Sequence, residues 1–226
     1  MSDHPLDNPI WQSLAHRHRG LALAQGEVLR YPADIAPFLG VPGPHVALAP
    51  AIDTLVPPGD TVLLLGAVPP QPPGWTLQPL GDLAQMVCEA PLPEVDGPGF
   101  IELGEPHRAD VLALTALVYP HYFRPHTMKL GRYFGMYVDD RLAAIIGERM
   151  GPPGWREISA VCTHPDFLGR GYARRLMAWL SNDILAQGLT PFLHVSRQNT
   201  RALSMYENNG YRTRTGIAFW SLARQG

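Results

Sequence analysis

Val161-Cys162-Thr163-His164-Pro165-Asp166-Phe167-Leu168-Gly169-Arg170-Gly171-Tyr172-Ala173 is the stretch on which the reading of this chain turns. A strand-like run ends in a proline and glycine turn, and a helix-compatible sequence follows at once. Small residues at 169, 171 and 173 let backbone N–H groups crowd around an anion at the helix start. A helix N-terminus favours negative charge by about 0.3–1 kcal/mol, and a pyrophosphate is its natural ligand. Two other phosphate loops are excluded. No Gly-Lys-Ser/Thr follows, so this is not the Walker loop, and the three-glycine spacing of a dinucleotide turn is missing.

Working outward, the pattern predicts a strand over Trp155–Thr163 and a helix over Arg170–Gln187 closed by Gly188. Pro191–Val195 reads as a strand and Thr200–Asn209 as a helix closed by Gly210. Tyr211–Thr213 and Ile217–Leu222 read as strands around Gly216. Upstream, Arg132–Val138 and Leu142–Arg149 flank Asp139-Asp140-Arg141, a hairpin signal. Phe100–Leu103 is a strand candidate, and Arg108–Val118 is helical with Val111, Leu114, Leu117 and Val118 on one side. An alternation of strands and helices in this order implies an α/β layer fold on a mixed sheet.

The first part of the chain has a different texture. Seventeen of the 24 prolines fall within residues 1–98, and proline pairs break helices and keep strands short. A short helix is expected with Asn8 as its N-cap and Pro9 as its first residue, running through Trp11, Leu14 and His18, and a hairpin from Leu21–Ala24 and Val28–Tyr31. Val46–Ala49 and Val62–Leu65 read as strands, Leu80–Glu89 as a helix, and Leu92–Gly99 as a linker. The expected organisation is a smaller Pro-rich α+β region over 1–98, open to being a degenerate copy of the fold that follows it, and a larger α/β domain over 99–226.

Composition narrows the function classes. The chain has 226 residues, 46% hydrophobic and 17% charged, which fits a packed globular protein. No apolar run reaches the roughly 18–20 residues of a membrane span, and the opening Ser2-Asp3-His4 lacks the order of a signal peptide. A cytoplasmic location is expected, without membrane partners. Two cysteines, Cys88 and Cys162, imply no disulfide framework. Residues 1–98 carry three arginines, no lysine and ten acidic residues, against fifteen basic and ten acidic residues afterwards. That mildly basic half suits a phosphate-bearing ligand but is too diffuse for nucleic acid. Nine histidines, including His121 and His126 or His16 and His18, lack the spacing of a zinc site, and no metal is expected.

Phe167-Leu168-Gly169-Arg170-Gly171-Tyr172-Ala173 resembles the coenzyme A loop of the GNAT superfamily of N-acetyltransferases, Gln/Arg-x-x-Gly-x-Gly/Ala. Downstream, Asn199, Ala202, Tyr206 and Asn209-Gly210-Tyr211 resemble the family's second motif. The resemblance covers residues 99–224 and is nearest in flavour to the C-terminal part of glycine N-acyltransferases. One position departs: Leu168 stands where the family has Gln or Arg, leaving the phosphates to backbone amides and to Arg170, Arg174 or Arg175.

The resemblance implies a GNAT-like mixed central sheet flanked by helices and transfer of an acetyl group from acetyl-CoA, or a related acyl-CoA, to an amine. It assigns Val161, Cys162, Thr163, Leu168, Gly169, Arg170, Gly171, Tyr172, Ala173, Arg174 and Asn199 to the co-substrate. Unpaired amides at Val161 and Thr163 would bond its pantetheine arm and the oxyanion where Pro191–Val195 splays away. Tyr119–His126 falls where the family binds its acceptor, so Tyr122, Phe123 and His126 are candidates for that pocket.

Acyl transfer to an amine needs an uncharged nucleophile. A lysine-like amine of pKa near 10.4 is neutral in roughly one molecule in 2,500 at pH 7, an α-amino group in about 10–20%. Glu157 is the candidate base, with Glu148 in reserve. Strand alternation puts Glu157, Ser159, Val161 and Thr163 on one face and Cys162 on the other. Burial in an apolar strand is expected to raise the Glu157 pKa; its bland alternative is an ion pair with Arg156 or Arg149. Tyr206 is the candidate acid for the leaving thiolate, against an ordinary core tyrosine. His194 has its own reading as a satisfied strand histidine. An acyl-CoA sensor without turnover, or a partner surface on residues 1–98 that leaves a homodimer open, are the competing function classes.

Overall fold

The computed structural model describes residues 4–49, 51–118, 120 and 122–225. After a short helix, α1 (Pro9–Ala15), come β1 (Leu23–Gln25), β2 (Val28–Arg30) and β3 (Leu39–Gly40). These three form a small antiparallel sheet. The helix α2 (Ala51–Leu55) leads to β4 (Thr61–Leu65) and β5 (Trp75–Val87). Then follow β6 (Ile101–Leu103), α3 (Arg108–Val118), β7 (Tyr133–Val138), β8 (Arg141–Glu148), β9 (Trp155–Thr163) and α4 (Tyr172–Ala186). The chain ends with β10 (Thr190–Ser196), α5 (Thr200–Asn208) and β11 (Arg212–Arg224).

An eight-stranded sheet in the order β4-β11-β5-β10-β9-β8-β7-β6 organises the molecule. Only β9 and β10 run parallel; the other pairs are antiparallel. This is the mixed α/β sheet flanked by helices that the sequence implies. Leu176, Met177, Leu180 and Ile184 of α4 are completely buried against one face, with Met86, Ile146, Ile158 and Leu193. On the other face α3 covers Ile145, Ala160 and Cys162, and α1 with the β1–β3 layer covers Leu65, Phe192 and Phe219.

Several expectations for the N-terminal part change. Leu80–Glu89 is not a helix; Leu83–Val87 lies inside β5, paired to β10 on one side and β11 on the other. Leu, Ala, Gln and Met favour helix locally, but Ala84 and Met86 pack into one face and Gln85 and Val87 into the other. Burial on both faces of a central strand overrides that preference. Val46–Ala49 forms no strand. Helix α1 stops at Ala15, and the Asn8 amide does not cap it but donates to the Val41 carbonyl at 2.7 Å.

Further on, the differences are smaller. The two C-terminal strands are one, β11, bulged between Thr213 and Thr215. Asp139 and Asp140 both take positive φ, 51° and 59°, as the two-residue turn between β7 and β8 requires. The irregular stretch after β5 is strapped along α4: Asn182 exchanges two hydrogen bonds with the Leu92 backbone, at 2.7 and 2.9 Å.

Candidate active site

The parallel ladder of β9 and β10 holds only Trp155–Glu157 against Thr190–Phe192. Beyond it, β9 stays with β8 as far as Thr163 and β10 stays with β5 as far as Ser196, so the two strands part. A cleft of about 740 Å³ opens there, lined by Val161, Thr163, Gly171, Val195, Asn199 and Tyr206 among others. The backbone groups that face this gap have no ladder partner, and a ligand's amides are the natural replacement.

A bulge shapes the β9 wall. Ser159 pairs with Gly147 and Cys162 with Ile145, so Ala160 and Val161 stand against Ile146 alone, and Ala160 takes a φ of 50°. Such a conformation is strained for a residue with a side chain and concentrates at functional sites. It also corrects the predicted alternation. Ile158 and Val161 pack toward α4, whereas Ala160 and Cys162 pack toward α3. Val161 therefore leaves the Glu157 face, and Cys162 joins it. Burial pushes the Cys162 thiol up to about 12, so it is no nucleophile even on that face.

At the mouth, Gly169 and Gly171 both take left-handed backbone, φ 77° and 78°, and a Cβ at either would meet nothing within 4 Å. The backbone there stands clear for a bulky anion. The first intrahelical bond of α4 runs from Arg175 N–H to Gly171 C=O at 3.0 Å, leaving the N–H groups of Tyr172, Ala173 and Arg174 before it. Leu168 is half exposed, an apolar side chain on the rim. The arginines divide. Arg170 lies over the Phe167 ring and is not part of the lining, and Arg175 is tied to the Val95 carbonyl at 2.6 Å. Arg174 lines the cleft, and so does Arg201, which no sequence motif marks. Asn199 caps α5, accepting from Ala202 N–H at 3.1 Å, and lines the same cleft. Loop, helix end, open strand edges and two arginines fit a phosphorylated ligand with an amide-bearing arm.

Glu157 is completely buried, but its carboxylate is clamped. Arg149 donates twice, at 2.8 and 2.7 Å, Met150 N–H donates at 3.1 Å, and His194 Nδ1 lies 2.8 Å away. Desolvation pushes the pKa up, but the Arg149 charge and these donors outweigh it and hold the group down at about 2. The expected upward shift is thus reversed, and Glu157 is not part of the cleft lining. Glu148 is likewise buried and held low, paired with Arg132 at 2.6 Å and Arg17 at 3.1 Å.

His194 is the polar ring that meets the cleft beside this clamp. Its Nδ1–H donates to Glu157, which leaves Nε2 to accept from the Gln85 amide at 3.0 Å. Gln85 in turn donates to the Leu6 carbonyl at 2.8 Å and accepts from Arg214 at 2.6 Å. Tyr206 lines the cleft from α5, its ring tilted against Tyr211 with centroids 6.1 Å apart.

The candidate acceptor residues separate. Tyr122 lines the cleft. Phe123 packs edge-on against Tyr133 within the α3-side core and does not. His126 is an anchor: its ring bonds Asp34 at 2.7 Å and its N–H bonds the Asp34 carbonyl, pinning the loop to the N-terminal part. Tyr119 and His121 lie outside the described residues. Among the described residues no group of three or more His, Cys, Asp or Glu could hold a metal, and no helix is long and apolar enough to cross a membrane.

Comparison with known proteins follows the same lines. A family model described as FR47-like protein matches residues 133–220. A crystal structure of a putative acetyltransferase from the GNAT family of Novosphingobium aromaticivorans is 35% identical, covers 99% of this chain and 100% of its own, and superposes with a TM-score of 0.89. A GCN5-related N-acetyltransferase from Kribbella flavida shares the fold at 14% identity, 95% coverage of both chains and a TM-score of 0.58. No curated protein matches. Fold and cleft together define a transferase that takes acyl groups from acyl-CoA. The chain belongs to the GNAT family of acetyltransferases. These relatives carry the family, not the glycine N-acyltransferase branch.

Proposed function

We propose that this protein transfers an acetyl group from acetyl-CoA to the nitrogen of an amine by direct attack, without a covalent enzyme intermediate. The observation that carries this reading is one continuous cavity lined by the α4 loop, the open β9 edge and Tyr206. Phosphates would sit at Gly169–Arg174, and the amides of Val161 and Thr163 would hold the pantetheine arm and the developing oxyanion. The amine nitrogen forms its bond to the carbonyl carbon as the carbon–sulfur bond breaks. Tyr206 gives its hydroxyl proton to the departing sulfur, the attacking nitrogen releases a proton to solvent as the amide forms, and the tyrosinate is reprotonated from solvent.

In this reading Glu157 is a positioning residue. A carboxylate clamped by Arg149 and two further donors is a poor proton acceptor, but its bond to Nδ1 fixes the His194 tautomer. No strong base stands among the described residues that line the cleft, so turnover follows the fraction of the acceptor amine that is neutral and should rise with pH.

Tyr206→Phe should lower kcat by at least about tenfold while acetyl-CoA affinity stays within about threefold. Steady-state kinetics with a panel of primary amines reads the first, and calorimetric titration of acetyl-CoA the second. Unchanged turnover would remove Tyr206 as the acid. Acetyl-CoA at a hundred times its dissociation constant should add about 2.7 kcal/mol to stability, or about 5–10 °C at the unfolding midpoint. A shift with acetyl-CoA and CoA but not ATP is the expected pattern, and no shift at millimolar ligand would defeat the co-substrate assignment.

A further inference from the structure

The cleft has a second end, away from the α4 loop. Its wall is apolar and aromatic: Phe38, Leu65 and Leu83 from the first 98 residues, Tyr122 from the loop after α3, and Phe219 from β11. All five belong to or pack on the core cluster of α1 and β4, not that of α4, so this end lies on the opposite face of the sheet from the glycine turn. The Tyr122 and Phe219 rings stand 6.1 Å apart at 58°, and the Phe38 ring lies 5.0 Å from the Arg149 guanidinium.

Charge at this end is decisive. Among the described residues that line the cleft none is acidic. Arg149 reaches the lining, but its charge is neutralised by Glu157 at 2.7 and 2.8 Å. A second ammonium on the acceptor would lose its water here and meet no carboxylate, which is costly. An aryl group would instead meet ring edges and aliphatic side chains, the surroundings that aromatic rings favour.

From these observations we infer that this end receives the acceptor, and that the acceptor is a primary amine bearing an aryl or similarly bulky apolar group with no second cationic centre. The inference rests on the transferase reading above and adds the substrate class. It also gives the N-terminal part a function: three of the five wall residues come from it, so acceptor choice is set outside the segment that carries both family motifs.

The test compares 2-phenylethylamine with 1,5-diaminopentane, using acetyl-CoA and the full chain, by kcat/KM. The aryl amine should be preferred by about 30-fold or more. A second readout needs no turnover: N-acetyl-2-phenylethylamine should raise the unfolding midpoint of the protein saturated with CoA, and N-acetyl-1,5-diaminopentane should not. Leu83→Asp should cut the preference at least about tenfold by supplying the missing carboxylate. Because a charge inside β5 risks folding, Tyr122→Ala reads the same wall from a loop and should also erode it.

Equal or reversed preference in the wild type overturns the inference and leaves the transferase standing. Octanoyl-CoA raising the midpoint well beyond acetyl-CoA, with neither amide adding to it, assigns the pocket to an acyl chain and overturns it too. If acetyl-CoA itself fails to bind, the transferase reading falls first and the inference with it.

Discussion

Gly171→Glu should abolish measurable acetyl-CoA binding while the protein still folds. The αL backbone at this position, φ 78°, costs a residue with a side chain roughly 1–2 kcal/mol. Nothing within 4 Å obstructs a Cβ, so the substitution adds little steric conflict to that strain. Its carboxylate, however, would stand at the N-terminus of α4, where the ligand's phosphates are proposed to bind. Two like charges about 4 Å apart at an effective dielectric of 20 repel by about 4 kcal/mol, enough for at least about a 100-fold loss in affinity. Gly171→Ala separates the two effects, since it carries the strain without the charge and should weaken binding only a few-fold. Calorimetric titration of both variants decides the matter, and wild-type affinity in Gly171→Glu would remove the phosphates from this turn.

Glu157→Gln should destabilise the fold by about 3–5 kcal/mol, because it removes the buried counter-charge of the largely enclosed Arg149 guanidinium. The pH dependence carries the signature. The folded pKa, about 2, lies below the ordinary glutamate value of 4.5, so the carboxylate's contribution is present in full above pH 4.5. It is lost progressively as pH falls from 4.5 toward 2, where the folded state must also take up the proton. The gap between wild type and variant in urea unfolding should therefore be widest near neutrality and shrink on acidification. A gap that stays constant from pH 7 to pH 3 would mean that the clamp does not hold the carboxylate ionised. The same variant removes the carboxylate that holds His194 Nδ1, so turnover in the folded fraction should also fall.

Much of this architecture could be read along the chain. Arg108–Val118 and Trp155–Thr163 fall where periodicity puts them, because each element announces itself in its own neighbours. Asp139-Asp140 announces a tight turn, and Asn199 a cap, for the same local reason. The candidate site was legible only in part. Gly169, Gly171, Asn199 and Tyr206 do line one cleft, but Arg170, Phe123 and His126 do not. Each of those three is held by a contact invisible in sequence: the Phe167 ring, the Tyr133 ring and the Asp34 carboxylate. His194 and Arg201 carried no motif to mark them.

The amino-acid sequence by itself determined the order of elements after residue 99, the glycine turn at the start of α4 and the family to which they belong. These depend on residues within a turn or two of one another, where propensity, capping and backbone freedom act. Tertiary structure alone decided that Leu83–Val87 is a strand, that the β9 alternation breaks at Ala160, that Glu157 is an ionised clamp, and that Phe38, Leu65, Leu83, Tyr122 and Phe219 close one wall. The reason is common to all four. Strand register and ion pairing join positions far apart in the chain, and the free energy of burial and charge compensation that selects them exists only once the sheet has formed.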